Sequence, residues 1–214
     1  MVRKIAPIGA SRKRPSVRIA QSSEMARAKA LFGLNMAHTK GANGKIPVLK
    51  ETTLYVSADV SGIANKTDLL TNETKAVVGV TNFDGNKFNT GTNASIQAMR
   101  VLYSTSGETI QNADWQNEDR LPAELQNAEI VITQGGNFVL SMPLTDLQGD
   151  KFQAWRKFAD TPFLKNNETI AMQIQMPSGV TAPTRIGNTS TGTNTPNNIE
   201  SFLRLEFRVF RTKI

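Results

Sequence analysis

The chain has 214 residues, of which 39% are apolar, with no cysteine and a net charge of +7. That size suits one large domain or two small ones, an all-β sandwich of this length being able to form a single domain, and the lack of cysteine excludes disulfides and thiolate-held metals and fits folding in reducing cytoplasm. No apolar run approaches the roughly 18 residues of a spanning helix, and no apolar stretch follows the basic N-terminus as a secretory signal requires.

The charge is unevenly placed. Residues 1–50 hold eleven Lys and Arg against Glu24 alone, +10, while residues 51–214 hold fourteen basic and seventeen acidic residues, −3. A block of this kind in front of a slightly acidic body is the mark of a polyanion-binding arm; the plainer alternative is a solvated tail. Within residues 1–21 the cations are Arg3, Lys4, Arg12, Lys13, Arg14 and Arg18, interrupted by Pro7, Gly9 and Pro15. Like charges repel and few large apolar groups oppose them, so a flexible arm is expected, with those six residues as candidate contacts to nucleic acid or membrane.

Residues 22–44 read as a short helix and linker. Ser22 or Ser23 caps, Glu24 suits the positive end of the helix dipole, and MARAKALFGLNM follows. Its apolar face is short for membrane binding, which favours packing on its own domain or on a neighbouring subunit. His38, the lone histidine, lies in a Gly- and Lys-rich loop with no second histidine to complete a metal pair.

Residues 45–214 form the predicted antiparallel sandwich. Leu54, Val56, Ala58 and Val60 alternate with polar residues, AVVGVTNF (76–83) reads as a second strand closed by an Asp84-Gly85 turn, and IQAMRVLYS (96–104) as a third, with Gln97, Met99, Val101 and Tyr103 on one side. A polar excursion over 107–126 has Trp115 and Leu121 as anchors and one helical turn at 122–125. Gln134-Gly135-Gly136-Asn137 joins two β runs in the strongest hairpin signal, ended by Pro143. Phe152, Trp155 and Phe158 stand at helical spacing, with Arg156 and Lys157 between them. That pattern suits a buried helical face, or bases stacked on aromatics. Ile170, Met172, Ile174 and Met176 mark another strand, and 178–199 a long polar loop. In the final stretch Leu203, Leu205, Phe207 and Val209 alternate with Arg204, Glu206 and Arg208, with Phe202 and Phe210 at the ends of the charged face. Val56, Met172, Ile174, Leu205 and Phe207 are the predicted core.

No phosphate-binding glycine loop, zinc-protease helix or nucleophile elbow is present, and no catalytic residue, metal or cofactor is expected. Asp114, Glu118 and Asp119 are acidic neighbours without calcium-loop spacing, a solvated loop rather than a cation site. About eight strands, long loops and a basic arm suit a jelly roll.

On the basic RKIAPIGASRKRPSVR, the strand-rich body from Glu51, the segment WQNEDRLPAELQNAEIVITQGGNFVLSMPL and the closing FLRLEFRVF, the chain resembles single-jelly-roll capsid proteins of tailless bacteriophages. The resemblance implies a structural protein, not an enzyme, that self-assembles into an icosahedral shell. It places the protein in the virion after synthesis in the host cytoplasm. The expected partners are further subunits, other virion proteins, and genomic nucleic acid or an internal membrane through the arm. The alternatives are a nucleic-acid-binding β protein, against which the −3 body counts, and a carbohydrate-binding β-sandwich or glycan-processing enzyme, in which the arm has no obvious role and whose site would lie in the loops at 107–126 and 178–199.

Overall fold

The computed structural model describes residues 48–105, 109–115, 120–148, 155–187, 197–199 and 201–213. They form two antiparallel sheets packed face to face. The predicted arm (1–21) and helix with linker (22–44) lie outside the described residues, as does His38.

The first sheet is built on the closing stretch. Strand β11 (Phe202–Lys213) lies between β1 (Val48–Asp59) and β3 (Ala94–Ser104). It pairs with β1 over twelve residues without a slip, from Asp59 opposite Phe202 to Val48 opposite Lys213. Period-two alternation sends Leu203, Leu205, Phe207 and Val209 to the core, beside Leu54 and Val56 of β1 and Met99, Val101 and Tyr103 of β3. One residue breaks the pattern on β3. Arg208 faces Ala98 but Val209 faces Ile96, so Gln97 is an extra residue, a β-bulge. The bulge turns Ile96 into the core, and the Gln97 amide donates to Ser95 Oγ at 2.8 Å. The expected alignment of Gln97 with Met99 therefore fails at the bulge. Short β6 (Arg156–Lys157) and β7 (Phe163–Leu164) pair along the far side of β3.

The second sheet has the order β2 (Lys66–Asp68), β8 (Ile170–Gln175), β4 (Glu129–Gln134), β5 (Asn137–Pro143). Gly135 and Gly136, at φ 56° and 84°, supply the two left-handed positions of the tight hairpin joining β4 to β5. Edge strand β5 is guarded. Val139 is an extra residue between the Leu140 and Phe138 pairings. The Leu144 N–H donates to Ala128 C=O at 2.8 Å, and alternation from that bond directs the Pro143 nitrogen outward, where no N–H is on offer. A short helix α1 (Ala123–Gln126) carries Leu125 into the core.

Taking β6 and β7 as one interrupted strand, the pairing is nested. β1 pairs with β11, β2 with β8, β3 with β6/β7, and β4 with β5. A small hairpin of β9 (Arg185–Gly187) and β10 (Asn197–Ile199) stands between β8 and β11 in the chain. Both sheets contribute to one core in which Val56, Met172, Ile174, Leu205 and Phe207 are all buried, as expected from alternation.

Three local expectations are corrected. Residues 76–83 form no strand. The Gly79 φ of +84° folds them into a turn that bridges Thr81 to Val56. Phe83 still reaches the core, 6.1 Å from Phe88 in a stacked pair and 6.3 Å edge-on from Phe207. Residues 156–157 are extended, not helical, so Trp155 and Phe158 leave the chain on opposite sides; Phe152 lies outside the described residues. The 178–199 stretch is not all exposed loop, since it supplies β9, β10 and the buried Ala182.

Candidate interaction face

The outer face of the first sheet, the side away from the core, carries the densest chemistry of the described residues. Register builds it in rows across the strands. Tyr55 of β1, Glu206 of β11 and Arg100 of β3 stand side by side, with Ser57, Arg204 and Leu102 in the row above and Thr53, Arg208, Ala98 and Lys157 in the row below.

Glu206 is buried and holds the centre. Arg100 donates from Nε to its Oε2 at 2.7 Å and brings Nη2 to the same oxygen at 2.7 Å. Arg204 places Nε 2.9 Å from Oε1, an ion pair whose N–H is not aimed at the oxygen, so this buried nitrogen makes no hydrogen bond. The Oγ of Ser57, opposite Arg204 in register, is also buried without a hydrogen-bond partner. The guanidiniums are stacked as well as paired. That of Arg204 lies 4.1 Å from the Tyr55 ring centre and 5.7 Å from that of Trp115, while those of Arg100 and Arg208 lie 4.6 and 4.9 Å from that of Trp155. Arginine is suited to this double duty because its planar, weakly hydrated cation can hydrogen-bond in plane and stack above it. The charged face of the closing strand is thus largely covered, and Phe202 and Phe210 at its ends are buried too.

Exposure increases toward the lower row. Arg208 keeps 46% of its side chain exposed and its nearest carboxylate, Glu51, is 3.8 Å away and 62% exposed. Thr53 and Lys157 in the same row are exposed, and Trp155 is half-buried.

The open edge of β1 beside this face is closed by a side chain. Asn82 Oδ1 accepts from the Tyr55 N–H and its Nδ2 donates to Thr53 C=O, both at 2.8 Å, so one amide stands in for a neighbouring strand. The Ser57 N–H donates to Val80 C=O at 2.8 Å. The same turn leaves Val78 93% exposed, and the far hairpin leaves Phe138 77% exposed.

The six cations singled out in the sequence, Arg3, Lys4, Arg12, Lys13, Arg14 and Arg18, lie outside the described residues, as do Glu118 and Asp119 of the acidic excursion. Among the described residues no three His, Cys, Asp or Glu side chains are grouped to hold a metal, and no helix is long and apolar enough to cross a membrane. The Arg100–Glu206–Arg204 cluster was missed because its partners are 106 residues apart, although the alternating charges of β11 were visible. No family model, curated protein or solved structure matches the chain.

Proposed function

We propose that the protein is a viral coat protein, a subunit of an icosahedral shell of the kind built by tailless bacteriophages, and that its sandwich is a jelly roll. The observation that carries the reading is the nested strand pairing, first with last through to the central hairpin β4–β5. A long hairpin wound once around itself generates that order: two four-strand layers, each drawing strands from both halves of the hairpin. Coat proteins and lectins both use this architecture. The +10 block of residues 1–50 favours the coat protein, because a sugar-binding module has no use for it, whereas a shell must hold a polyanionic genome or an anionic internal membrane on its inner side.

In this reading the sandwich is a rigid wall unit, other subunits and virion proteins are its partners, and Arg3, Lys4, Arg12, Lys13, Arg14 and Arg18 point inward. The protein works in the virion, by assembly and not by catalysis. Light scattering behind size exclusion, with negative-stain imaging of the same fractions, tests it. Discrete capsomers or closed particles are expected as concentration rises. A monomer at every concentration, with no affinity for nucleic acid or anionic vesicles at low salt, would reject the reading in favour of a carbohydrate-binding sandwich.

A further inference from the structure

We propose that the outer face of the first sheet binds a small monovalent anion such as chloride between Ser57 of β1 and Arg204 of β11, and that this ion helps to hold the Trp115 segment over the sheet.

Two buried donors meet there without an acceptor. Ser57 is 6% exposed, and neither its Oγ nor the Arg204 Nε finds a hydrogen-bond partner among the described residues. A buried polar group left unpaired loses its water for nothing in return, and here two such groups lie side by side. Register fixes their placement. Ser57 stands opposite Arg204, and the Ser57 N–H points away from β11, to Val80 C=O, so this is a non-hydrogen-bonded pair. Such pairs bring their Cα atoms to about 4.5 Å, the closest approach across an antiparallel ladder. Val56 faces the core, so Ser57 leaves on the outer side, as Arg204 does between Leu203 and Leu205. One atom-sized acceptor can therefore meet both donors.

Charge decides between a water and an anion. Arg100 and Arg204 converge on Glu206, which offsets one of the two cations. The remaining charge is poorly hydrated on the Arg204 side. That side chain is 17% exposed, and its guanidinium lies 4.1 Å from the Tyr55 ring centre and 5.7 Å from that of Trp115. A cation drawn out of water calls for a counter-ion. One negative charge balances the cluster, whereas a doubly charged ion would overshoot it and shed more water on entry. Arg204 then stands between two anions, Glu206 and the bound ion, and is fixed in the position on which Trp115 stacks.

The inference goes beyond the coat-protein reading and does not depend on it. The full-length protein is melted at constant ionic strength while sodium gluconate is replaced by sodium chloride. The melting temperature should rise saturably, by about 3–6 °C once chloride reaches about ten times its dissociation constant. Bromide should do the same. Ser57→Ala removes one donor and should abolish the chloride-dependent rise, while in gluconate it melts close to the wild type, since an unpaired hydroxyl has gone with it. A bridging water gives another pattern, with no difference between salts for the wild type and an equal loss in both for Ser57→Ala; that result would overturn the proposal. So would a chloride response that Ser57→Ala leaves intact, because the ion would then act elsewhere. Crystals grown in bromide test the position without any substitution. An anomalous peak between Ser57 Oγ and Arg204 Nε is expected. No peak there rejects the site, and a peak without a chloride response in solution marks an adventitious ion only and rejects it too. Light scattering judges the coat-protein reading separately, since particles can form or fail to form whatever the salt series shows.

Discussion

Glu206 is the residue on which the outer face depends. A buried carboxylate between two arginines offsets half of their charge as they leave water, and removing it strands two cations that are mostly enclosed. Glu206→Gln should cost about 3 kcal/mol, the lower end for breaking a buried pair because Arg100 keeps some solvent contact. Denaturant unfolding measures it; a loss below about 0.5 kcal/mol would show the cluster to be no more than surface chemistry. On the other face Phe207→Ala removes a fully buried ring that meets Phe83 edge-on, with an expected loss of about 3–5 kcal/mol. Phe207 was legible because alternation alone decides which face a strand residue takes. The Arg100–Glu206 pair was not, because register between strands far apart in the chain leaves no local trace.

At the scale of elements, the β4–β5 hairpin was the most legible, since two adjacent glycines between β runs have few other uses. Gly136→Ala is the clean test of its geometry: a Cβ there meets nothing within 4 Å, so the change acts only through the φ of +84°. About 1–2 kcal/mol should be lost. An unchanged denaturation midpoint would mean that the turn relaxes to another type. The segments that misled were those whose composition fits two conformations. Residues 76–83 have the β-branched content of a strand, but they act as a strap across β1, with Asn82 supplying the hydrogen bonds a strand would have made. The aromatic spacing of Trp155 and Phe158 fits a helix, but β3 offers them an open edge, and pairing with Met99 and Ala98 draws the intervening residues into extended form. In each case a distant strand overrode local preference.

For the whole molecule, the separation of basic block from sandwich leads to a pair of expectations. Deleting residues 1–21 should leave the melting temperature within a few degrees, because that stretch is rich in charge and has few large apolar side chains to offer a core; loss of the cooperative transition would count against a separable arm. If the six cations of that block meet about six phosphates, the log–log salt slope is about −4 on single strands and −5 on duplex. Replacing Arg12, Lys13 and Arg14 with alanine should lower it by about 2–3 while particle size by light scattering stays the same. A slope that does not change would place the phosphate contacts on the sandwich instead. The strand-rich body and its core were readable from periodicity. The nesting of the strands was not, because it is a property of pairing order and many orders satisfy the same alternation.

That order also dictates when the molecule can exist. Of the strands described, β11 is the last to leave the ribosome, yet it sits between β1 and β3 and supplies Leu203, Leu205, Phe207 and Val209 to the core. Until it is synthesised, β1 and β3 have no shared neighbour, and the β1 edge that should meet it stays open. Contacts of such long sequence separation fold slowly, and the half-made chain is a natural client for chaperones. A chain released early, by a stop or a nick before residue 202, lacks the strand on which the first sheet is built. Cutting the chain between β10 and β11 should therefore abolish the first sheet and not merely trim its edge, because the lost strand is an interior one.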